Sequence, residues 1–122
     1  MKTGIVLFAH GARDPDWARP LERLKRMLAE RMPEALIEAA FLEHMAPSLE
    51  VAADALVAQG VTELSIVPVF IAQGGHLRDD LPRRVEELAR KHPDVPVRIA
   101  PPIGEVDTIL SAISGWIEGM HK

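Results

Sequence analysis

The chain has 122 residues, of which 48% are hydrophobic and 26% charged, and its net charge is −4. This length and composition are typical of a single globular domain, so we expect residues 1–122 to form one domain. No apolar stretch is long enough to span a membrane, and the acidic balance without a basic cluster argues against a nucleic-acid-binding surface. The absence of cysteine excludes disulfides and thiolate metal ligands. The first apolar segment lacks signal-peptide features, so we expect a cytoplasmic protein.

Four segments of the sequence predict β-strands, and a predicted helix follows each of them. Residues 5–9 form a continuous apolar run, which is typical of a strand buried on both faces of a parallel sheet. The second strand, at 35–42, contains Glu38 and is therefore placed at an edge. The third begins at Glu63, and its regular pairing is expected to stop near Val67 because Pro68 cannot donate to a ladder. A short fourth strand is predicted at 95–100.

Apolar residues at helical spacing predict the four helices. The first starts irregularly at Asp14-Pro15, and the second runs from Pro47 to a left-handed Gly60. Asp79 or Asp80 is expected to cap the third helix, which places Pro82 in its first turn. The last helix, 105–120, has a wide apolar face for a terminal element, which suggests that it packs on more than its own sheet.

The strict alternation of strand and helix predicts a doubly wound, flavodoxin-like four-stranded parallel sheet with helices on both faces. In such sheets ligands bind beyond the carboxyl ends of the strands. A strand order of 2-1-3-4 would place the ends of the first three strands next to one another. Functional residues are therefore expected directly after these strands.

A histidine follows the first strand and another follows the third: His10 precedes Gly11, and His76 follows two glycines. Glu43 follows the second strand. Imidazole and carboxylate groups bind divalent transition metals, and neutral imidazole also accepts protons near neutral pH. We therefore predict a metal site made of His10, Glu43 and His76, in which the histidines are also the catalytic residues. The alternative is a purely structural role, as a hydrogen-bonded buried histidine or a solvated surface carboxylate.

Other polar residues near these strand ends are weaker candidates. His44 ranks below Glu43, because the next residue of an extended strand points to the other side. Arg13 and Arg78 each lie within three residues of a predicted site histidine and could contact an anionic substrate, although they could equally be surface residues. His92 and His121 are expected to be structural or exposed.

Three blocks of the sequence carry a family resemblance: Phe8-Ala-His-Gly-Ala-Arg-Asp14, Phe41-Leu-Glu43 with Pro47, and the segment 68–76 followed by Asp80 and Pro82. Together they resemble the small class II tetrapyrrole chelatases, the short CbiX and SirB group, over the whole chain. The resemblance implies a lyase that inserts a divalent metal into sirohydrochlorin without ATP, for cobalamin or siroheme. Cobalt is the favoured metal, with iron or nickel as alternatives, and no cofactor is expected beyond this metal substrate.

The resemblance also assigns residues and a partner. His10, Glu43 and His76 match the metal-site positions of the family. The chain is about half the length of the two-lobed chelatases, which implies that two copies pair as a homodimer. Two other functions are alternatives: a non-catalytic metal or tetrapyrrole carrier that uses the same ligands, and a histidine phosphatase. The phosphatase is disfavoured because Ala9 stands where that chemistry needs an arginine.

Overall fold

The computed structural model describes all 122 residues and contains one four-stranded, fully parallel sheet in the order β2-β1-β3-β4. The strands are β1 (Thr3–Ala9), β2 (Leu36–Phe41), β3 (Glu63–Pro68) and β4 (Val97–Ile99). The helices are α1 (Arg19–Arg31), α2 (Leu49–Ala58), α3 (Gly75–Lys91) and α4 (Asp107–Gly119). Two 3₁₀ turns, Pro15–Ala18 and Ile103–Glu105, precede α1 and α4. The predicted flavodoxin-like architecture and strand order are confirmed, and no helix has the length and apolarity that crossing a bilayer requires.

The central strand β1 contributes to two separate cores, because its successive side chains alternate between the faces of the sheet. Val6 and Phe8 belong to a large core that also includes residues of α2 and α3. Ile5 and Leu7 belong to a smaller core under α1. The unbroken apolar run of β1 is therefore explained by burial on both faces.

Pro68 is the last residue of β3, one residue beyond the predicted end of regular pairing, and it pairs with Phe8 of β1. Leu64 and Ile66 make their backbone hydrogen bonds toward β4. The backbone nitrogen of Pro68 also points toward β4, but β4 has already ended at Ile99. The missing amide therefore removes no ladder hydrogen bond, and the proline is tolerated in a central strand.

Helix α3 begins four residues before the predicted cap at Asp79 or Asp80, so that prediction is wrong. Its N-cap is Gly74, and the Arg78 amide donates to the Gly74 carbonyl at 3.0 Å. Leu77 is buried like Leu81, so the apolar face of the helix extends one turn upstream. Pro82 lies inside the helix and removes only one hydrogen bond. As a result, His76 lies in the first turn of a helix instead of on an extended segment.

Asp54 of α2 joins that helix to the end of α3. Its carboxylate accepts hydrogen bonds from Lys91 Nζ at 2.6 Å and is 2.7 Å from His92 Nε2. The hydrogen bond from Lys91, followed by that from His92, lowers the pKa of Asp54 below its ordinary value. His92 thus has the structural position expected from the sequence.

We expect Asp54→Asn to lower the melting temperature at neutral pH, because the lysine and histidine lose their anionic partner. A lowered carboxyl pKa stabilises the fold above the ordinary pKa, and this stabilisation is lost as the pH falls through the folded-state pKa. The difference in melting temperature between wild type and variant should therefore shrink below about pH 4. Thermal unfolding followed by circular dichroism at several pH values measures it. Asp94→Asn, the same change at an exposed residue without an ion pair, is the control and should show little difference at any pH.

Candidate metal and substrate site

His10 and His76 line one open cavity of about 480 Å³ at the carboxyl edge of the sheet. His10 directly follows β1, and His76 lies in the first turn of α3, which follows β3. The remaining lining residues are Leu42, Gly74, Gly75, Leu77, Asp79, Asp80 and Arg83. The strand order therefore brings together two histidines that are 66 residues apart in the sequence.

Gly11 sets the backbone geometry beside His10. It has a φ of 89°, and a Cβ atom at this position would overlap the Glu43 carbonyl oxygen. The Glu43 amide donates to the His10 carbonyl at 3.0 Å. The segments after β1 and β2 therefore touch through their backbones, and this approach depends on a residue without a side chain.

An aromatic residue packs against one side of the His10 ring. The ring centroid lies 4.8 Å from that of Phe70, with 43° between the planes, and Phe70 makes an edge contact with Phe8. The Arg84 guanidinium lies over Phe8 and binds the Glu50 carboxylate at 2.8 and 2.9 Å. One side of the imidazole is therefore packed, while the residue still lines the cavity.

Glu43 lies next to the cavity but does not line it. Its side chain is 59% exposed, and its carboxylate is 3.9 Å from His44 Nε2. β2 ends at Phe41, so the extended geometry that ranked His44 below Glu43 does not apply here, and His44 has a φ of 65°. The choice between these two residues is not decided by strand alternation.

No group of three or more histidine, aspartate or glutamate side chains is arranged to hold a metal ion in this structure. The two predicted histidines share a cavity, but Glu43 does not join them as a third ligand. The set of His10, Glu43 and His76 therefore stays a prediction about the metal-loaded protein.

Arg13 and Arg78 are exposed and line no part of the cavity, whereas Arg83 does. Arg83 was missed because the third helix was predicted to begin after His76. Once α3 starts at Gly75, residues 76, 79, 80 and 83 recur at the spacing of one helical face. This periodicity is the signal that could have identified Asp79, Asp80 and Arg83 from the sequence.

Comparisons with known proteins agree on one family. The family model of CbiX matches residues 4–118. A sirohydrochlorin cobaltochelatase of Sulfurisphaera tokodaii is 30% identical over 115 residues, which cover 94% of this chain and 91% of that one. The crystal structure of a cobalamin-biosynthesis CbiX protein of Marinobacter aquaeolei VT8 superposes with a TM-score of 0.81 at 34% identity, covering 97% and 96% of the two chains.

A longer relative is the sirohydrochlorin ferrochelatase of Bacillus subtilis. It is 28% identical over 117 residues, which cover 93% of this chain but only 43% of the relative. The chain therefore spans less than half of this relative and nearly the full length of the other two.

Proposed function

Because this chain belongs to the CbiX family, we propose that it is a sirohydrochlorin chelatase that inserts a divalent metal into the macrocycle without ATP. The proposal places it in cobalamin or siroheme biosynthesis. Co²⁺ is the favoured substrate metal, with Fe²⁺ or Ni²⁺ as alternatives, because relatives are named both cobaltochelatase and ferrochelatase. We propose no cofactor beyond this metal substrate. The cytoplasmic location stays a prediction.

The observation that carries the proposal is the shared cavity of His10 and His76. His10 directly follows β1 and His76 lies in the first turn of α3, and the cavity that both residues line is open to solvent. A metal held by few protein ligands keeps coordination positions free for the four macrocycle nitrogens. A site closed by four protein ligands would retain the metal instead.

Metal insertion releases the two pyrrole protons of the macrocycle, so the site needs a proton acceptor. His10 and His76 are the candidate bases, because neutral imidazole accepts protons near neutral pH. We assign Glu43 to metal binding or to orienting the base, after a movement toward the cavity. Asp79 and Asp80 already line the cavity and are further carboxylates that a cation could contact.

Sirohydrochlorin is a polycarboxylate, and its side chains require cationic partners. Arg83 lines the cavity and can form a charge-assisted, bidentate contact with a carboxylate. Arg13 and Arg78, predicted as substrate contacts from the sequence, lie outside the cavity and would meet only the periphery of a large macrocycle. We therefore rank Arg83 first among the three.

We further propose that residues 1–122 act as one chelatase-like domain and that two copies form a homodimer. The chain corresponds to less than half of the Bacillus subtilis ferrochelatase, which supports the pairing of two copies to build an equivalent two-lobed molecule.

The direct test mixes purified protein with sirohydrochlorin and Co²⁺, Fe²⁺ or Ni²⁺ in the absence of ATP. We expect the absorption change of metal insertion to be faster than the uncatalysed reaction for at least one metal, in proportion to protein concentration. Insertion no faster than the background for all three metals contradicts the proposal. Tight Co²⁺ binding together with background insertion rates would instead identify a carrier.

A further inference from the structure

The last helix carries an apolar face that its own chain leaves exposed. Residues 110–122 are all exposed, including Trp116 at 67% and Met120 at 63%. The large apolar residues of α4 share one side of the helical wheel. They are Ile109, Leu110, Ile113, Trp116 and Ile117, and Met120 directly after the helix continues the same side.

The α1 face of the sheet carries an open apolar groove of about 490 Å³. Its lining is apolar apart from Ser65 and includes Ile5, Leu7, Leu28, Val67 and Ile109. α2 and α3 cover the other face of the sheet, but on this face α1 is the only helix packed against the core. A parallel sheet is normally covered by helices on both faces, so the groove occupies the place of a missing helix.

The connection before α4 directs this helix away from the groove of its own chain. A Cβ at Gly104 would overlap the Ile71 carbonyl oxygen, which shows how closely the two backbones pack. Hydrogen bonds from Glu105 to Pro102 and from Val106 to Ile103, at 2.9 and 3.2 Å, close the 3₁₀ turn that follows. Of α4, only its first turn, at Ile109, reaches the groove. Folding α4 back would require this connection to be remodelled.

We propose that two copies of the chain exchange their last helices, so that α4 of each copy fills the α1-side groove of the other. This inference rests on the proposed homodimer and specifies its interface. Every chain supplies one apolar helix and one apolar groove, and a two-fold axis satisfies both at once. The occupant is therefore a second copy, not an unrelated partner.

The surface involved is large enough for a stable dimer. Burying five partly exposed side chains of about 100 Å² each on both helices removes roughly 1,000 Å² of accessible surface, and the groove surface beneath them adds to this total, which reaches the ~1,000 Å² that a specific interface needs. Glu118 and Ser111 lie on the opposite side of α4 from its apolar residues. The exchange therefore buries no charge from this helix.

Thiol crosslinking distinguishes the exchange from its alternatives, because the chain has no native cysteine. Ser65→Cys lies in the groove and Ile113→Cys on α4. The two single variants, carrying tags of different size, are co-expressed and treated with a short bifunctional maleimide. We expect a covalent product that contains one copy of each, and little crosslinking of either variant alone.

Other crosslinking results overturn the inference. Linkage between two Ile113→Cys chains would mean that the α4 helices pack on each other. Linkage only within one chain of the Ser65→Cys, Ile113→Cys double variant would mean that α4 folds back. Failure of any link, together with a monomeric mass by light scattering, would exclude the exchange. These readouts do not depend on activity. An active chelatase that forms no mixed product would therefore contradict the helix exchange and leave the proposed function standing.

A charge substitution provides a second readout. Ile113→Glu combined with Ile117→Glu should shift the mass of the wild-type dimer to that of a monomer, since carboxylates cannot enter an apolar groove without partners. Ser111→Glu, on the opposite side of the same helix, should stay dimeric. Circular dichroism checks that each variant is folded. A folded double variant that remains dimeric contradicts the inference.

Discussion

His10→Ala should slow metal insertion into sirohydrochlorin by about a hundredfold or more, and His76→Ala should have a comparable effect. Positioned acid–base groups contribute roughly 10²–10⁴-fold to a rate, and in the proposed mechanism these residues also hold the metal. Initial rates are measured by absorbance at saturating and at limiting Co²⁺. Because metal binding and proton removal are both affected, added Co²⁺ should restore only part of the rate.

The matched control is His44→Ala. It removes an exposed imidazole from the neighbouring loop, outside the cavity lining. This variant should keep nearly the wild-type insertion rate if Glu43 is the metal-binding residue of this loop. A slower rate is expected only if His44 binds the metal instead. Wild-type rates in both His10→Ala and His76→Ala would leave the family assignment intact and discard the site.

Gly11→Ala should destabilise the fold strongly and impair insertion as well. A left-handed backbone at a non-glycine residue costs about 1–3 kcal/mol, and here the new Cβ must also displace the Glu43 carbonyl. Both the His10 and the Glu43 segments would have to move. Urea unfolding measures the lost stability, and the insertion assay measures the effect on the site.

Gly60→Ala separates the cost of backbone strain from the cost of the overlap between the new Cβ and a neighbouring backbone. Gly60 also has a positive φ, 94°, but no atom lies within 4 Å of the position that a Cβ would take. This variant should lose about 1 kcal/mol from backbone strain alone and keep its insertion rate. Equal destabilisation by the two substitutions would mean that the close approach at Gly11 is relieved without cost.

Much of the fold was predictable because local patterns were unambiguous. The apolar run 5–9 is typical of a strand covered on both faces, and Glu38 correctly placed β2 at an edge. The irregular start at Asp14-Pro15 became the 3₁₀ turn Pro15–Ala18. Right-handed parallel connections then left few possible strand orders. The start of α3 was mispredicted, because Pro82 is typical of a first helical turn, whereas the buried Leu77 extends the apolar face of the helix one turn upstream.

The candidate site was predictable in part. His10 and His76 stood out because each follows a buried strand next to glycine, and strand order alone brings them to one cavity. Arg83 and the aspartates beside it depended on the helix boundary and were missed. Whether Glu43 joins the histidines depends on side-chain positions in a loop, which no periodicity determines.

Sequence alone therefore determined the fold class, the family resemblance and the two histidines, because these depend on local apolar patterns and on residues at strand ends. The wide apolar face of 105–120 was also visible in the sequence, together with the expectation that it packs beyond its own sheet. Only the tertiary structure decided that α4 leaves the groove beside α1 open. The direction of a helix is set by contacts of the preceding turn with distant backbone, here Gly104 with Ile71, and such contacts leave no periodic signal in the chain.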